Sequence, residues 1–504
     1  MNLATIIDGH PDEAIALISR GKPTDYATLR QQVAGMRTGL IGLGLSAGDR
    51  VAIISGNNRY FAVSYLAALG AGLVAVPLNP TNPVVAVTHE LGNVGARAVV
   101  VGPAGRAAVA ALDRSKLPDL EFVIGAGFCP EGGLGMEDLM ELDDVEPAPV
   151  VERSPDDVAV MIFTSGTAGT PKAAMLTHGN LYANIRQSIA ASEGDQGPAD
   201  VVFGVLPLFH IFGLNVVLGV SLFAGSTVLL IERFDPMSGL EAIQKHGVTI
   251  VAGPPTMWAA WAGVPGVDAS VMGSVRLAVS GAAKLPVEVA QAVEAKFGLT
   301  LEEGYGLTEA SPVVTSPRGV EAPAGSIGVP VPGLELRIVD GEGHDVLVGD
   351  AGEIWVRGPN VFAGYWKDEE ATASVVNAEG WLRTGDMAVV DDAGFLYLVD
   401  RVKDLIIVSG FNVFPAEVEA VLADHPGIES SAVVGVPHPY TGEAIKAYVV
   451  ARPGMPIEED DVIAFAAERL PSYKCPTKVW FVDQIPRGIT GKVLRYELKQ
   501  AEGV

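Results

Sequence analysis

The chain has 504 residues, which is more than one hydrophobic core usually serves, so we expect two or more domains. Its formal net charge of −26 argues against nucleic-acid binding, because phosphate backbones are held by clustered Lys and Arg side chains. The two cysteines, Cys129 and Cys475, provide neither a disulfide framework nor a zinc-ligand cluster. Together with first residues that show no secretory signal pattern, they predict a cytoplasmic protein.

Helix-like periodicity alternates with short apolar strands through the first part of the chain, which predicts parallel sheets covered by helices. The strands are expected at residues 48–55, 72–78, 96–102, 226–231, 248–253 and 275–281. The stretch 61–78 is long and apolar enough to suggest a membrane span. Two glycines and a proline interrupt it, so we expect a buried helix followed by a core strand and no transmembrane segment.

The pattern changes near Gly325, where Gly and Asp turns separate short strands such as 334–340 and 352–358. This spacing predicts a small antiparallel or barrel-like β subdomain. The end of the chain reads as a further α+β unit, with helices at 414–425 and 460–470 and strands at 430–437 and 445–451. We therefore predict a large N-terminal domain over residues 1–402 and a smaller C-terminal domain over residues 403–504.

A loop rich in glycine and hydroxyl residues, TSGTAGTPK at 164–172, directly follows an apolar strand. Such a loop presents backbone N–H groups that suit phosphate oxygens, and its lysine adds a positive charge. A P-loop kinase or ATPase would place Ser or Thr after that lysine to bind magnesium. Here Lys172 precedes Ala173, which disfavours the kinase interpretation. Taken alone, the segment could also be a flexible surface turn.

Motifs in a fixed order extend along nearly the whole chain. They are TSGTAGTPK at 164–172, SGAAKLP at 280–286, YGLTE at 305–309, GYW at 364–366, WLRTGD at 381–386, DRVKDLIIVSG at 400–410 and PRGITGK at 486–492. In this order the sequence resembles the adenylate-forming superfamily of acyl-CoA synthetases, aryl-CoA ligases, luciferases and peptide-synthetase adenylation domains. The resemblance implies an α/β fold with a mobile C-terminal domain. It also implies a ligase that makes acyl-AMP from a carboxylic acid and ATP, then an acyl-CoA thioester.

The resemblance assigns the ATP-binding residues to several motifs. Tyr305 would stack on adenine, Asp386 would accept hydrogen bonds from the ribose hydroxyls, and Thr308 would donate to the α-phosphate. Glu309 and Thr167 would hold Mg²⁺ through oxygen ligands. The full set assigned to the nucleotide is Thr164, Ser165, Gly166, Thr167, Gly169, Thr170, Lys172, Gly281, Ala282, Ala283, Tyr305, Gly306, Asp386 and Arg401.

The resemblance also assigns roles in the C-terminal part of the chain. Lys492 would bridge the substrate carboxylate and the α-phosphate, two anions that otherwise repel each other. This lysine can reach the N-terminal phosphate loop only if the C-terminal domain folds over the large one. For the second half-reaction the domain would rotate about a hinge at Lys403. Coenzyme A would then enter a tunnel lined by Ser409, Gly410 and Phe411.

Segments expected to line the acyl pocket are largely apolar, so we expect an apolar monocarboxylic acid, either fatty or aryl. His210 would lie beside the reacting carboxylate, although a lone histidine on an apolar face is also a common core residue. The expected catalytic set is Lys492, Thr308, Glu309 and His210. Two alternatives stay open, an acyl-AMP ligase serving a carrier-protein thiol and a non-catalytic adenylate-binding protein. Peripheral membrane contact and a monomeric or homodimeric state also stay open.

Overall fold

The computed structural model describes residues 1–141, 145–164, 171–192, 195–317, 320, 322–401, 404–408, 411–438, 440–488 and 493–500. For residues 400, 401, 411, 412, 496 and 500 it describes the backbone alone. The α-helices are α1 Tyr26–Gly42, α2 Arg59–Gly70, α3 Val84–Val94, α4 Arg106–Ala110, α5 Met136–Met140, α6 His178–Ala191, α7 Ser221–Ala224, α8 Pro236–His246, α9 Pro255–Gly263, α10 Val287–Phe297, α11 Glu369–Val375, α12 Pro415–Ala423, α13 Glu459–Ala467 and α14 Arg495–Gln500.

The strands are numbered in chain order. They are β1 Ile15–Ser19, β2 Lys22–Asp25, β3 Arg50–Ile54, β4 Val74–Pro77, β5 Ala98–Val101, β6 Phe122–Gly125, β7 Leu134–Gly135, β8 Val158–Thr164, β9 Lys172–Thr177, β10 Val201–Gly204, β11 Thr227–Leu230, β12 Ile250–Gly253, β13 Leu277–Ser280, β14 Leu301–Glu303, β15 Tyr305–Gly306, β16 Val313–Ser316, β17 Val329–Pro330, β18 Glu335–Val339, β19 Gly352–Arg357, β20 Gly364–Tyr365, β21 Leu382–Val390, β22 Leu396–Arg401, β23 Ile406–Val408, β24 Phe411–Val413, β25 Ile428–His438, β26 Gly442–Ala451 and β27 Lys478–Phe481.

Two large sheets form the N-terminal part of the molecule. One has seven strands in the order β14-β13-β12-β10-β11-β1-β2, and the other has eight in the order β20-β9-β8-β4-β3-β5-β6-β7. Most neighbouring strands are parallel. Antiparallel pairs lie at the edges, where β1 pairs with β2, β20 with β9, and β9 with β8. Strands β4 and β5 are buried along their whole length, as expected of parallel strands covered on both faces. The predicted α/β class is confirmed.

Smaller antiparallel sheets are formed by strands that come after β14 in the chain. Strands β15, β16 and β17 form one, and β18, β19, β21 and β22 form another, in that order. They contain the predicted strands 334–340 and 352–358, so the expected β subdomain is present. Strand β21 begins within the WLRTGD motif and pairs with β22, which carries Arg401. This pairing places two motifs side by side that are separate in sequence.

The C-terminal strands β23 to β27 form a sheet of their own, with α12 and α13 in the same segment. Its hydrophobic core includes Val418, Leu422, Ile445 and Val462, all from the C-terminal part of the chain. The smaller C-terminal domain is therefore as predicted. The exact boundary between 402 and 403 lies outside the described residues and stays a prediction.

Local sequence signals account for the ends of several helices. Helix α6 begins with a capping box, in which the Thr177 side chain accepts from the Asn180 N–H and the Asn180 side chain accepts from the Thr177 N–H. Asn180 also donates to the backbone oxygens of Pro359 and Val361, at 2.8 Å each. The cap therefore also anchors the segment that leads into β20.

The apolar stretch 61–78 forms the buried helix and core strand that the sequence predicts. Every residue of α2 from Phe61 to Gly70 is buried, and β4 follows it. Across the described part of the chain, no helix combines the length and apolar character needed to cross a membrane.

Candidate active site

Several predicted site residues lie just beyond the carboxyl ends of parallel strands. Strand β13 ends immediately before Gly281, and β14 ends two residues before Tyr305. Strand β8 ends at Thr164, where the phosphate loop begins. In open α/β sheets, ligands bind in the crevice outside the carboxyl ends of the strands. The topology therefore brings the loops of three motifs to the type of sheet edge where a nucleotide would bind.

The structure brings Tyr305 and Asp386 into direct contact. The Tyr305 hydroxyl donates to Asp386 Oδ2 at 2.6 Å, and Asp386 is only 7% exposed. The Asp386 N–H donates to Thr384 Oγ1 at 3.1 Å, and Asp386 is the cross-strand partner of Arg401. An aromatic ring, a carboxylate and the backbone of an arginine thus meet from three strands. This combination offers a stacking surface and hydrogen-bond acceptors to a nucleoside.

The loop after β13 has a tightly constrained backbone. A Cβ added at Gly281 would lie 2.8 Å from Cε1 of Phe212, so the ring of Phe212 packs directly on this glycine. Ala282 has φ +69°, a left-handed conformation that is unusual for a residue with a side chain. Gly281 therefore allows the Phe212 ring, at the start of the helix Phe212–Val220, to pack directly against the backbone of this loop.

Gly306 is also required by a close backbone approach. A Cβ at this position would lie 2.3 Å from the carbonyl oxygen of Pro312, across the β15–β16 hairpin. Any other residue would push the hairpin open and displace the neighbouring Tyr305 and Thr308. Gly306 therefore shapes the site through the backbone.

Lys172 begins β9 directly opposite Thr164 of β8, so these two residues flank the phosphate loop. Lys172 Nζ lies 3.1 Å from Asp368 Oδ2, and both side chains are about one-third exposed. It also lies 5.5 Å from the centre of the Tyr365 ring. A lysine in this position can exchange an exposed carboxylate partner for a phosphate at small cost.

Glu309 lies in the short 3₁₀ turn Thr308–Ala310 that closes the YGLTE motif. Its carboxylate accepts a 2.7 Å hydrogen bond from the Tyr365 hydroxyl, and its backbone oxygen accepts from the Phe362 N–H at 2.9 Å. Burial, with the charge of Glu309 beside it, raises the pKa of Tyr365 above its ordinary value, so this hydroxyl stays a donor.

Glu309 also fits a magnesium ligand in chemical terms. The described residues contain no group of three or more His, Cys, Asp or Glu that could hold a metal by themselves. Magnesium in nucleotide sites is commonly bound by one or two carboxylates together with substrate phosphates. A single oriented carboxylate near Lys172, the lysine predicted to bind phosphate, therefore suits magnesium brought in with ATP.

His210 precedes the helix Phe212–Val220, at the side of the predicted acyl pocket. Its Nδ1 accepts a 3.3 Å hydrogen bond from the Phe212 N–H, which assigns the ring proton to Nε2. Burial lowers the pKa of His210, so its imidazole is neutral near pH 7. A neutral ring with Nε2–H can donate a hydrogen bond to a carboxylate oxygen.

Part of the predicted site lies outside the described residues. This holds for Ser165, Gly166, Thr167, Gly169, Thr170, Lys403, Ser409, Gly410 and Lys492. For Arg401 and Phe411 only the backbone is described. The roles assigned to these residues stay predictions.

The sequence analysis missed a buried carboxyl beside the nucleotide motifs. Glu303 is 7% exposed, and its Oε1 accepts a 2.8 Å hydrogen bond from the Leu285 N–H in the SGAAKLP loop. Burial raises the pKa of Glu303 to about 7, against the lowering effects of the Leu285 bond and the charge of Lys284. Glu303 lies two residues before the YGLTE motif, but nothing in the sequence indicates that its side chain is buried.

We expect Glu303→Gln to make the free energy of unfolding less sensitive to a rise in pH from about 4.5 to 7. The raised pKa means that the folded state binds more protons than the unfolded state between about pH 4.5 and 7, so stability falls as pH rises through that window. The loss is at most about 4 kcal/mol, since one pKa unit corresponds to about 1.4 kcal/mol. Glutamine can still accept a hydrogen bond from the Leu285 N–H, and it does not ionise.

Urea unfolding at pH 5 and pH 8 measures the difference in stability, with Glu294→Gln on the exposed side of α10 as control. An equal pH dependence in Glu303→Gln and wild type would contradict this expectation.

The chain has an α/β domain of two sheets, with Tyr305 and Asp386 in contact beyond its strand ends. A small α+β domain follows it. This is the architecture of an AMP-binding enzyme. The chain belongs to the AMP-binding enzyme family, whose sequence model matches residues 3–366. The model of the AMP-binding enzyme C-terminal domain matches residues 417–492. These two matches follow the order of the two predicted domains.

Named relatives resemble the chain over nearly its whole length. It is 38% identical to a feruloyl-CoA synthase from an Amycolatopsis species, covering 97% of this chain and 96% of the relative. It is 34% identical to a long-chain-fatty-acid–CoA ligase from Yersinia pestis, covering 97% and 91%. Among solved structures it resembles ATP-bound MatB from Rhodopseudomonas palustris, with a TM-score of 0.91, 33% identity and 99% coverage of both chains.

Proposed function

We propose that this protein is an ATP-dependent acyl-CoA synthetase. A carboxylate oxygen of the substrate attacks the α-phosphorus of ATP, which forms acyl-AMP and releases pyrophosphate. The thiol of coenzyme A then attacks the acyl carbon, loses its proton and releases AMP. The observation that carries the proposal is the contact of Tyr305 with Asp386 beside the SGAAKLP loop, within a chain that matches CoA ligases end to end.

The first half-reaction requires two anions to approach each other, so the site needs positive charge and oriented donors. Lys172 supplies a cation at the phosphate loop, and Lys492 would supply a second at the α-phosphate. Glu309, with Thr167, would hold Mg²⁺, which neutralises phosphate charge when bound. Thr308 would donate to the α-phosphate, and neutral His210 would orient the substrate carboxylate.

We propose an apolar monocarboxylic acid as the substrate, either aryl or fatty. Arg276, which lies four residues before the SGAAKLP segment, is bound by both Asp200 and Asp195. Its guanidinium is therefore occupied and poorly suited to a second substrate carboxylate. The Phe212 ring, which packs on Gly281, adds an apolar surface beside the SGAAKLP loop. The relatives named for ferulate and for long-chain fatty acids fit both branches of this proposal.

The second half-reaction requires the C-terminal domain to change its position. We propose residues 403–504 as the mobile unit, with a hinge at Lys403 and a pantetheine tunnel at Ser409, Gly410 and Phe411. The chain resembles ATP-bound MatB with a TM-score of 0.91 and apo MatB with a TM-score of 0.80. This difference supports two arrangements of the C-terminal domain. Two free cysteines support a reducing, cytoplasmic location.

Pyrophosphate release with a panel of acids tests the function. The panel holds ferulate and other aryl propenoates, medium- and long-chain fatty acids and a short dicarboxylate, each with and without coenzyme A. We expect pyrophosphate, AMP and an acyl-CoA product with an aryl or fatty acid, and none with the dicarboxylate. Acyl-AMP without a coenzyme A product would favour the carrier-protein alternative. ATP binding without pyrophosphate release from any acid would favour the non-catalytic alternative.

A further inference from the structure

The Glu309 carboxylate has a fixed partner, Tyr365 of the GYW motif, to which the sequence analysis assigns no role. Within the described part of the chain, Tyr365 is the side chain that hydrogen-bonds Glu309, with its hydroxyl 2.7 Å from Oε1. We propose that Tyr365 is a positioning residue that holds Glu309 in the orientation needed to bind the metal of Mg-ATP. This inference rests on the proposed function and names a further participant in the same site. Partners that orient a metal ligand in this way commonly affect metal affinity by about 10- to 100-fold.

The Tyr365 backbone is held from two sides. Residues on either side of it donate to β9, Ala363 to the Met175 oxygen at 2.9 Å and Trp366 to the Ala173 oxygen at 2.8 Å. The Tyr365 N–H itself donates to Thr372 Oγ1 at 2.9 Å. A side chain on such a backbone loses little further freedom when it orients a neighbour.

The ring of Tyr365 is as constrained as its backbone. It packs edge-on against Phe362, with ring centres 5.0 Å apart, and Phe362 also donates its N–H to the Glu309 oxygen. Its other neighbour is the Lys172 ammonium, 5.5 Å from the ring centre. One residue thus contacts the proposed metal ligand through its hydroxyl and the proposed phosphate lysine through its ring. Tyr365 therefore sets the spacing between Glu309, which would bind the metal of Mg-ATP, and Lys172, which would bind its phosphates.

Tyr365→Phe separates these two contacts, because it removes the hydroxyl and keeps the ring. Calorimetric titration of ATP with and without Mg²⁺ gives the factor by which the metal tightens nucleotide binding. We expect that factor to fall by about tenfold in Tyr365→Phe, while ATP affinity without Mg²⁺ is unchanged. The matched control is Tyr397→Phe, which removes a tyrosine hydroxyl bonded to Asp391 at 3.1 Å and lies outside the proposed machinery. The control should keep the wild-type factor.

A double-mutant cycle tests whether Tyr365 acts through Glu309. In a Glu309→Gln background, Tyr365→Phe should produce no further loss of the Mg²⁺ effect. A wild-type Mg²⁺ factor in Tyr365→Phe would overturn the inference, and so would an equal loss of ATP affinity with and without the metal. Failure of the wild-type protein to bind ATP at all would instead contradict the proposed function. Thermal unfolding of each variant without nucleotide shows whether it remains folded.

Discussion

Lys492→Ala should lower the rate of acyl-AMP formation by at least about a hundredfold, comparable to the loss of one transition-state donor in other enzymes. The reason is electrostatic, because this lysine would be the cation placed between the carboxylate and the α-phosphate as negative charge develops. Thioester formation from supplied acyl-AMP should be spared, since that step would involve a different face of the C-terminal domain. Single-turnover pyrophosphate release and single-turnover acyl-CoA formation measure the two steps separately.

The control for this variant is Lys245→Ala, which removes one exposed lysine from α8 and should leave both steps unchanged. Equal losses in both half-reactions would refute the assigned role of Lys492, because they would indicate damage to folding or to a shared site. Normal adenylate formation in Lys492→Ala would refute it as well.

Asp386→Ala should raise the KM for ATP by roughly a hundredfold. Asp386 is nearly buried and would accept hydrogen bonds from both ribose hydroxyls, and each bond to a charged acceptor contributes about 1.5 kcal/mol or more. Two such bonds correspond to about two factors of ten. The KM for the carboxylic acid should change little, because Asp386 is not in the segments expected to line the acyl pocket. Steady-state pyrophosphate release at varied ATP and varied acid measures both constants.

Two further variants locate the origin of that effect. Tyr305→Phe keeps the stacking ring and removes only the 2.6 Å hydrogen bond to Asp386, so it should raise the KM for ATP by only about threefold. Asp391→Ala removes another tyrosine-bonded aspartate, at the opposite end of the β21–β22 pair, and should leave the KM for ATP unchanged. Were the KM for the acid to rise as much as the KM for ATP in Asp386→Ala, the ribose assignment would be wrong.

Much of the fold follows from local sequence. The apolar runs at 48–55, 72–78 and 96–102 each contain an observed strand, because a continuous apolar run bounded by glycine and proline suits a parallel strand buried on both faces. The stretch 61–78 also folds as expected, since glycines divide it into a helix and a strand. Such features depend on residues only a few positions apart, so they can be predicted directly from the sequence.

The candidate site was predictable only in part. Motif order predicted which residues would serve the nucleotide, but the contacts among them cross long separations in sequence. The bonds of Tyr305 to Asp386 and of Tyr365 to Glu309 depend on how the small β sheets lie against the strand ends. Local periodicity does not specify the packing of distant strands.

Glu303 shows the same division between sequence and tertiary structure. In the sequence it is one of two adjacent glutamates, and nothing in the pattern distinguishes it from an exposed carboxylate. Folding places β14 beside β13, buries the Glu303 side chain and brings the Leu285 N–H within 2.8 Å of it. The sequence by itself determined the class of protein and predicted the order of its domains and its charged participants, since these reside in short contiguous motifs. Tertiary structure decided which carboxyl is buried and which partner orients each charge, because burial and hydrogen bonding arise only when distant segments exclude water together.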